Sequence, residues 1–375
     1  INMSRNLVPR VDKGADLGTP AKNWNKLYAD AVILRGSDLK ALLDSKTDLN
    51  TLSAKGDLYV ATDTGIITRL PRGGDGEVLI SNSLSAEGLE WVLTDPRQQL
   101  TENKEFTVGT GGQFPTINAA LAYVVSMYYP TFLATGTVPK VTIRLLSGFV
   151  MAEQVVVQSL NLSWITIIGD DPETIINRGA LVSQYRFEGG YSGYPAFAAG
   201  NGGFLPIINQ LFNMDTSGSS DGRYGIVAYQ NSRAIISSGK GIKNAGYISI
   251  ATISCSIINA YGAIASNAGA IGIAASLNSI INAKAAIASN AMSCGISASS
   301  NSIIYAEGAQ ASNCGLYGIY ANFGSIIQAN SAEALDNLGN ADIVAQTGSI
   351  ISAGNASGRI SPAANTITAN GIIFQ

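Results

Sequence analysis

The chain's clearest pattern is an apolar dipeptide that keeps returning. Ile-Ile pairs begin at Ile235, Ile257, Ile280, Ile303, Ile326, Ile350 and Ile372, at steps of 22, 23, 23, 23, 24 and 22 residues. A second apolar column, Ile250, Ile273, Ile296, Ile319 and Ile343, runs seven residues ahead of the pairs, with Gly272, Gly295 and Gly318 directly before three of its members. A third column follows each pair at Ala260, Ala283, Ala306, Ala329 and Ala353, and a fourth is polar: Asn244, Asn267, Asn290, Asn313 and Asp336. The stretches between are Ala, Ser, Asn and Gly. Helix formers at a 3.6-residue period are missing, as are the leucines and adjacent helix of a leucine-rich repeat.

A unit of about 23 residues with three short apolar strands and small turn residues predicts one coil of a parallel β-helix, whose inner face is buried only by stacking on the next coil. The Ile columns become ladders at the roughly 4.8 Å strand spacing. The Asn column becomes a turn column, because Asn tolerates the left-handed backbone and stacked amides can bond along the axis. Upstream, Val141–Leu146, Val155–Val157, Trp164–Ile168 and Thr174–Ile176 read as the same architecture in less regular form, with Ile143 and Ile165 again 22 apart. Before them, apolar positions 117, 121, 124, 125 and 128 fit one face of a helix. Laid across the open end of the stack, such a helix would cover unpaired strand edges.

Composition narrows the chemistry. Histidine is absent, which excludes a His-containing triad, a His-ligated metal and a His switch within one chain. Charged residues are 13% of the chain and the net charge is −3, so a phosphate-tracking groove is not expected. Residues 1–100 hold 12 basic and 13 acidic side chains, whereas 222–375 hold only ten charged residues in all. Cys255, Cys294 and Cys314 lie in apolar surroundings and read as small buried hydrophobes, with no metal or cofactor implied. No apolar run is long enough to span a membrane, and residues 1–10 lack the apolar stretch of a secretory signal. The last Ile pair lies three residues from Gln375, and a bare final rung favours an oligomer.

Two resemblances emerge. Thr107–Leu121, then Val141–Leu145, Gly148–Val157 and Ile165–Asp171, resemble the opening of the pectate-lyase/pectin-esterase β-helix superfamily. That implies a right-handed parallel β-helix but no particular activity, and no catalytic motif of the superfamily is matched on later coils. Asp16–Asp30, Lys55–Pro71, Gly73–Leu79 and Gly88–Trp91 are similar to segments of bacteriophage tail fibres and tailspikes. This second likeness implies a homotrimer in the virion tail, attached to other tail or baseplate proteins by its N-terminal part and meeting the host surface distally. Neither nucleic acid nor membrane insertion is expected.

The expected organisation is an attachment and trimerisation region over 1–55, a small β module over 56–100, the first part of the β-helix over 101–222, and regular coils over 223–375. Ser37-Asp38 reads as a helix start. Leu39, Leu42 and Leu49 fit a short a/d seam with Lys46 at one seam position. Gly109-Thr-Gly-Gly-Gln-Phe114 imitates a nucleotide-binding loop but ends on Phe, with no Lys-Ser/Thr after it, so it reads as a turn into the helix.

Candidate chemistry concentrates in an interruption of the repeat at 184–223. The insertion reads either as a structural loop that packs between protomers or as a glycan-binding loop, with Tyr185, Arg186, Tyr191, Tyr194 and Phe197 as the candidate binding residues, because aromatic rings stack on sugar faces. Asp215, Asp221 and Glu188 are the carboxylates to test if the chain cleaves its glycan, since paired carboxylates roughly 5–10 Å apart support glycosidic cleavage. The leading expectation is a tail fibre or tailspike that binds a host surface polysaccharide. A depolymerase is the enzymatic alternative, and a structural connector for a separate adhesin is the third. Lys284 and Glu307, 23 residues apart, are expected to meet on adjacent coils.

Overall fold

The computed structural model describes residues 33, 34, 37, 38, 52–63, 66–93, 95, 97–130, 138–182, 193–214, 223–365 and 371–375. The chain is mostly β and divides into two compact units, 1–96 and 97–375.

In the first unit, Leu58–Asp63 pairs antiparallel with Ile66–Leu70, and Glu77–Ser81 with Leu89–Leu93. This is the small β module that the Gly-punctuated alternation predicts. Asp57 fastens the first hairpin. Its carboxylate accepts the Ser53, Ala54 and Arg72 backbone N–H groups at 3.0, 2.8 and 3.0 Å and the Arg69 Nε–H at 2.7 Å. Ser37–Asp38 is a short strand paired antiparallel with Ile33–Leu34, and the positions that a helix starting there would occupy lie outside the described residues. The seam positions Leu39, Leu42, Lys46 and Leu49 lie outside the described residues.

The second unit consists of long parallel sheets stacked in a manner compatible with a β-helix. Three rows of strands run along it. One begins with Lys104–Val108, Val141–Leu145, Ile165–Gly169 and Ile207–Ile208. The Ile208–Ile236 bridge continues this row into the seven-stranded sheet of Arg233–Ile235, Ile257–Asn259, Ile280–Asn282, Ile303–Tyr305, Ile326–Gln328, Ser349–Ser352 and Gly371–Phe374. A second row runs through Val150–Met151, Glu173–Ile176, Leu211–Met214 and Gly241–Lys243, then through single bridges at Ile264, Ile287, Gln310, Glu333 and Ser357. The third row is a nine-stranded sheet from Val155–Gln158 to Ile360–Ser361.

Each repeat column has a defined place in this stack. Ile250, Ile273, Ile296, Ile319 and Ile343 are in register in the nine-stranded sheet, and all are fully buried. The Ala260 column is equally buried. Each inward isoleucine contributes about 1.5–3 kcal/mol by leaving water. Asn244, Asn267, Asn290, Asn313 and Asp336 have φ of 61, 59, 60, 56 and 57°, the left-handed turn the sequence predicts. Backbone bonds tie the column: Asn267 N–H donates to Ser289 O, and Asn290 N–H to Ser312 O, at 3.0 and 2.9 Å.

Three registers differ from the reading by dipeptide. In the pairs from Ile257 onward only the second isoleucine is inside: Ile258, Ile281, Ile304, Ile327, Ile351 and Ile373 are fully buried. The first member points outward. Ile235 does not share their column, because Arg233 and Ala234 pair with Ile257 and Ile258. Likewise Ile143 pairs with Ile167, and it is Val141 that pairs with Ile165. A coil corner that takes one or two extra residues shifts the apparent period without disturbing the ladder.

The helix α1, Ile117–Met127, opens at Thr116, whose Oγ1 accepts the Ala119 N–H at 3.1 Å. It buries Ile117, Ala120, Leu121 and Val124 and packs on the first strand of the stack, where the Tyr123 ring meets Phe106 edge-on at 5.5 Å. The Gly-rich segment before it is a turn: Phe114 bridges back to Val108, and Gly109 N–H donates to Phe114 O at 3.0 Å. Cys294 and Cys314 are buried hydrophobes as expected. Cys255 is exposed instead, on a left-handed turn residue with φ 62° outside the inner columns.

Candidate functional site

The two described members of the glycan-binding set are separated by their environment. Tyr194 opens the strand Tyr194–Gly200 and is half-buried. Phe197, three residues on, has no exposed surface. Its ring packs at a tilt against Phe212, with centroids 4.8 Å apart inside the coil, so it is core and cannot present a face to a sugar. The reason is alternation: Phe197 pairs in register with Val155 and Ile226, both fully buried and inward. Tyr185, Arg186, Glu188, Tyr191, Asp215 and Asp221 lie outside the described residues.

Elsewhere, the carboxylates are mostly held by cations or backbone donors. Arg144 donates to both Glu105 oxygens at 2.8 and 2.9 Å and to Asp170 at 3.0 Å, and this hydrogen bonding lowers the Glu105 pKa. Glu173 accepts Lys243 Nζ at 2.5 Å and Asn213 Nδ2 at 3.0 Å, while Asn244 donates to Asn213 Oδ1 at 2.6 Å, a polar chain across three successive coils. Asp171 accepts Gly148 N–H and Ser147 Oγ–H, both at 2.7 Å, which lowers its pKa. Lys284 and Glu307 meet at 3.1 Å, as the 23-residue count predicts.

One carboxyl is pushed the other way. Burial raises the Glu153 pKa although its oxygens accept the Ile117 and Asn118 N–H groups at 2.6 and 3.0 Å. A raised carboxylic acid marks a general acid when it faces a cleft. Glu153 faces the first turn of α1, where it satisfies two helix donors. It is a cap in a structural position. Among the described residues no group of three or more Cys, Asp or Glu is placed to hold a metal.

Two hollows on the described surface of the second unit are wide enough to consider. One, of about 180 Å³, lies between α1 and the strand Val155–Gln158 and is lined by Leu121, Val125, Val157, Leu160 and Leu162. The other is open, about 610 Å³, and lies on the last coils beside Leu335, Asp336, Leu338, Asp342 and Arg359. There Arg359 Nε donates to Asp342 Oδ2 at 2.7 Å, and Asp342 also accepts from Asn337. Burial opposes the Asp342 charge, but these donors hold its pKa well below the usual carboxylate range. Its carboxylate is thereby committed to structure. The hollow offers Leu338, Leu335 and Asp336 to solvent.

A feature that the sequence reading missed lies beside the Ile pairs. Ser232, Ser256, Ser279, Ser302, Ser325 and Ser349 form a fully internal column in which each serine's backbone N–H donates to the next serine's Oγ, at 3.1 Å for the first bond and 3.2 Å for the others. The signal was present, since Ser directly precedes the five Ile pairs from Ile257 to Ile350.

These features define a mostly β protein with a long stack of parallel sheets and a small β unit ahead of it. No family model matches the sequence, and no curated protein matches it.

Proposed function

We propose that this chain is a subunit of a bacteriophage tail fibre or tailspike whose second unit is a right-handed parallel β-helix. Three copies associate side by side. The N-terminal part attaches to other tail or baseplate proteins of the virion, and the solenoid meets a host surface polysaccharide and binds it without cleaving it. The observation that supports this reading best is the pairing of two kinds of feature in one chain. The segments similar to tail fibres between Lys55 and Trp91 fall on the hairpins of the first unit, and a stack of parallel sheets with an amphipathic helix at its first strand follows. Among the glycan-contact candidates, Tyr194 remains, with Tyr185, Arg186 and Tyr191; Phe197 is withdrawn to the core.

The test is incubation of the purified chain with capsule and lipopolysaccharide from candidate hosts, following both retention and new reducing ends. Retention without new ends supports the binding reading. New ends that vanish in Asp215→Asn or Asp221→Asn would make the chain a depolymerase. Neither retention nor cleavage across the hosts would leave the connector role as the better reading.

A further inference from the structure

The seven-stranded sheet carries large aliphatic side chains on its outer surface. Its outward column is Arg233, Ile257, Ile280, Ile303, Ile326, Ile350 and Ile372, aligned rung by rung. Ile257, Ile326 and Ile350 are 39, 37 and 38% exposed, and Ile280, Ile303 and Ile372 are half-buried. The adjacent outward column, Asn259, Asn282, Tyr305, Gln328, Ser352 and Phe374, is uncharged. The other rows differ. The outer bridge column of the second row turns polar at Gln310, Glu333 and Ser357. The nine-stranded sheet has Ala251, Ala274, Ser297 and Tyr320 in one column, and its larger aliphatics Val227, Ile248 and Ile253 are buried in a separate cluster with Tyr224 and Tyr229.

Strand propensity does not account for six successive isoleucines at wet positions, because Thr serves a pleated strand as well and costs no exposed apolar surface. We infer that this isoleucine ladder is the face through which the chain packs on a second copy of itself, with the solenoid axes aligned. The inference rests on the reading above that copies of the chain associate side by side. Three observations choose that occupant. The ladder from Ile257 to Ile372 contains no charge, so nothing on it selects a charged partner or a polyanion. Its knobs repeat at the roughly 4.8 Å strand spacing, a period that another stack of the same strands matches along its whole length. Its extent is also right. With the exposed Tyr261, Leu277, Phe323 and Phe374 along its margins, the apolar surface is on the order of 700 Å², close to one partner's share of a standard interface and larger than the patches monomers usually expose.

The experiment is sedimentation of the full chain and of the triple variant Ile280→Lys, Ile303→Lys, Ile326→Lys, with Gln310→Lys on another face as control. The wild type and the control are expected to sediment as one oligomer. The triple variant is expected to fall to the 38.9 kDa monomer with its β circular dichroism intact, its association weakened at least 100-fold. Should the lysines prevent folding, Ile303→Cys in a Cys255→Ser background decides. Mild oxidation is expected to link copies through residue 303, while Gln310→Cys is not linked. A triple variant that folds and stays assembled, or links at 310 but not at 303, overturns the face and leaves self-association standing. A wild type that is monomeric at every concentration overturns self-association and the face together.

Discussion

Ser279 and Ser302 lie 23 residues apart and are joined inside the stack: the Ser279 backbone N–H donates to the Ser302 Oγ at 3.2 Å. The same bond recurs on the neighbouring rungs, and both serines are fully buried. The hydroxyl stands where a β-ladder would otherwise supply a carbonyl, so the chain can turn a corner without stranding a donor.

Removing one hydroxyl leaves that donor unmet. Ser302→Ala is expected to cost about 1–3 kcal/mol, the penalty of a buried unsatisfied N–H, although almost no volume is lost. Chemical denaturation read by circular dichroism checks it, and Ser302→Ala costing no more than a change at an exposed serine such as Ser126→Ala would refute the role.

The two isoleucines of one pair are expected to behave unequally. Ile304→Ala opens a cavity on the inner ladder and should cost about 2–5 kcal/mol, with Ile304→Val at about 0.5–1.5. Ile303→Thr, on the outer face, should leave the stability of an isolated chain within about 0.5 kcal/mol. Equal losses at 303 and 304 in the monomeric background would show that the inward and outward assignment is wrong.

Gly318 sits where the nine-stranded sheet presses against the coil interior. A Cβ there would lie 2.4 Å from the Ala311 carbonyl oxygen and 2.7 Å from the Ala334 Cβ. Gly318→Ala is therefore expected to destabilise by about 1–3 kcal/mol through overpacking, despite alanine's lower unfolded-state entropy. An unchanged denaturation midpoint would count against the close packing.

Acid acts on the first unit through Asp57. Burial raises its pKa, but the Arg69 guanidinium and three backbone donors outweigh that and hold it at about 2. A depressed folded pKa gives stability that is fully present above the unfolded value of about 4 and is lost as pH falls through about 2. In Asp57→Asn the extra acid sensitivity of this unit between those values should disappear. A tryptophan-fluorescence titration following Trp91, whose indole N–H donates to Pro71 O at 2.8 Å, reads it out. Parallel curves for variant and wild type would contradict the assignment.

On the regular coils, the Lys284–Glu307 pair is partly exposed on both sides, and a double-mutant cycle with Lys284→Ala and Glu307→Ala is expected to give a coupling of about 0.2–1 kcal/mol that shrinks in high salt. A larger, salt-insensitive coupling would point to a buried role.

Much of the stack was legible because repetition multiplies a weak signal. One Ile-Ile in a Ser/Ala background means little, but four Asn and an Asp at a constant interval locate a turn column, and Lys284 and Glu307 could be paired by counting alone. Where the count slipped, at Ile235 and Ile143, the corner had absorbed residues. Hydrogen-bond register, which the sequence does not print, restored the ladder through Ala234 and Ile167. The candidate site was less legible. Phe197 and Tyr194 look alike in an aromatic-rich segment, and only the inward phase of the strand sends Phe197 against Phe212.

The sequence by itself determined the period, the columns that stack, the left-handed Asn turn and the apolar face of α1, because each follows from local residue preferences repeated at a fixed interval. Tertiary structure alone decided which isoleucine of each pair is buried. Both are β-branched and equally apolar, so side-chain chemistry cannot distinguish them. The choice is made by strand alternation phased against the corner turns, since a slip of one residue would exchange the inner ladder for the outer one.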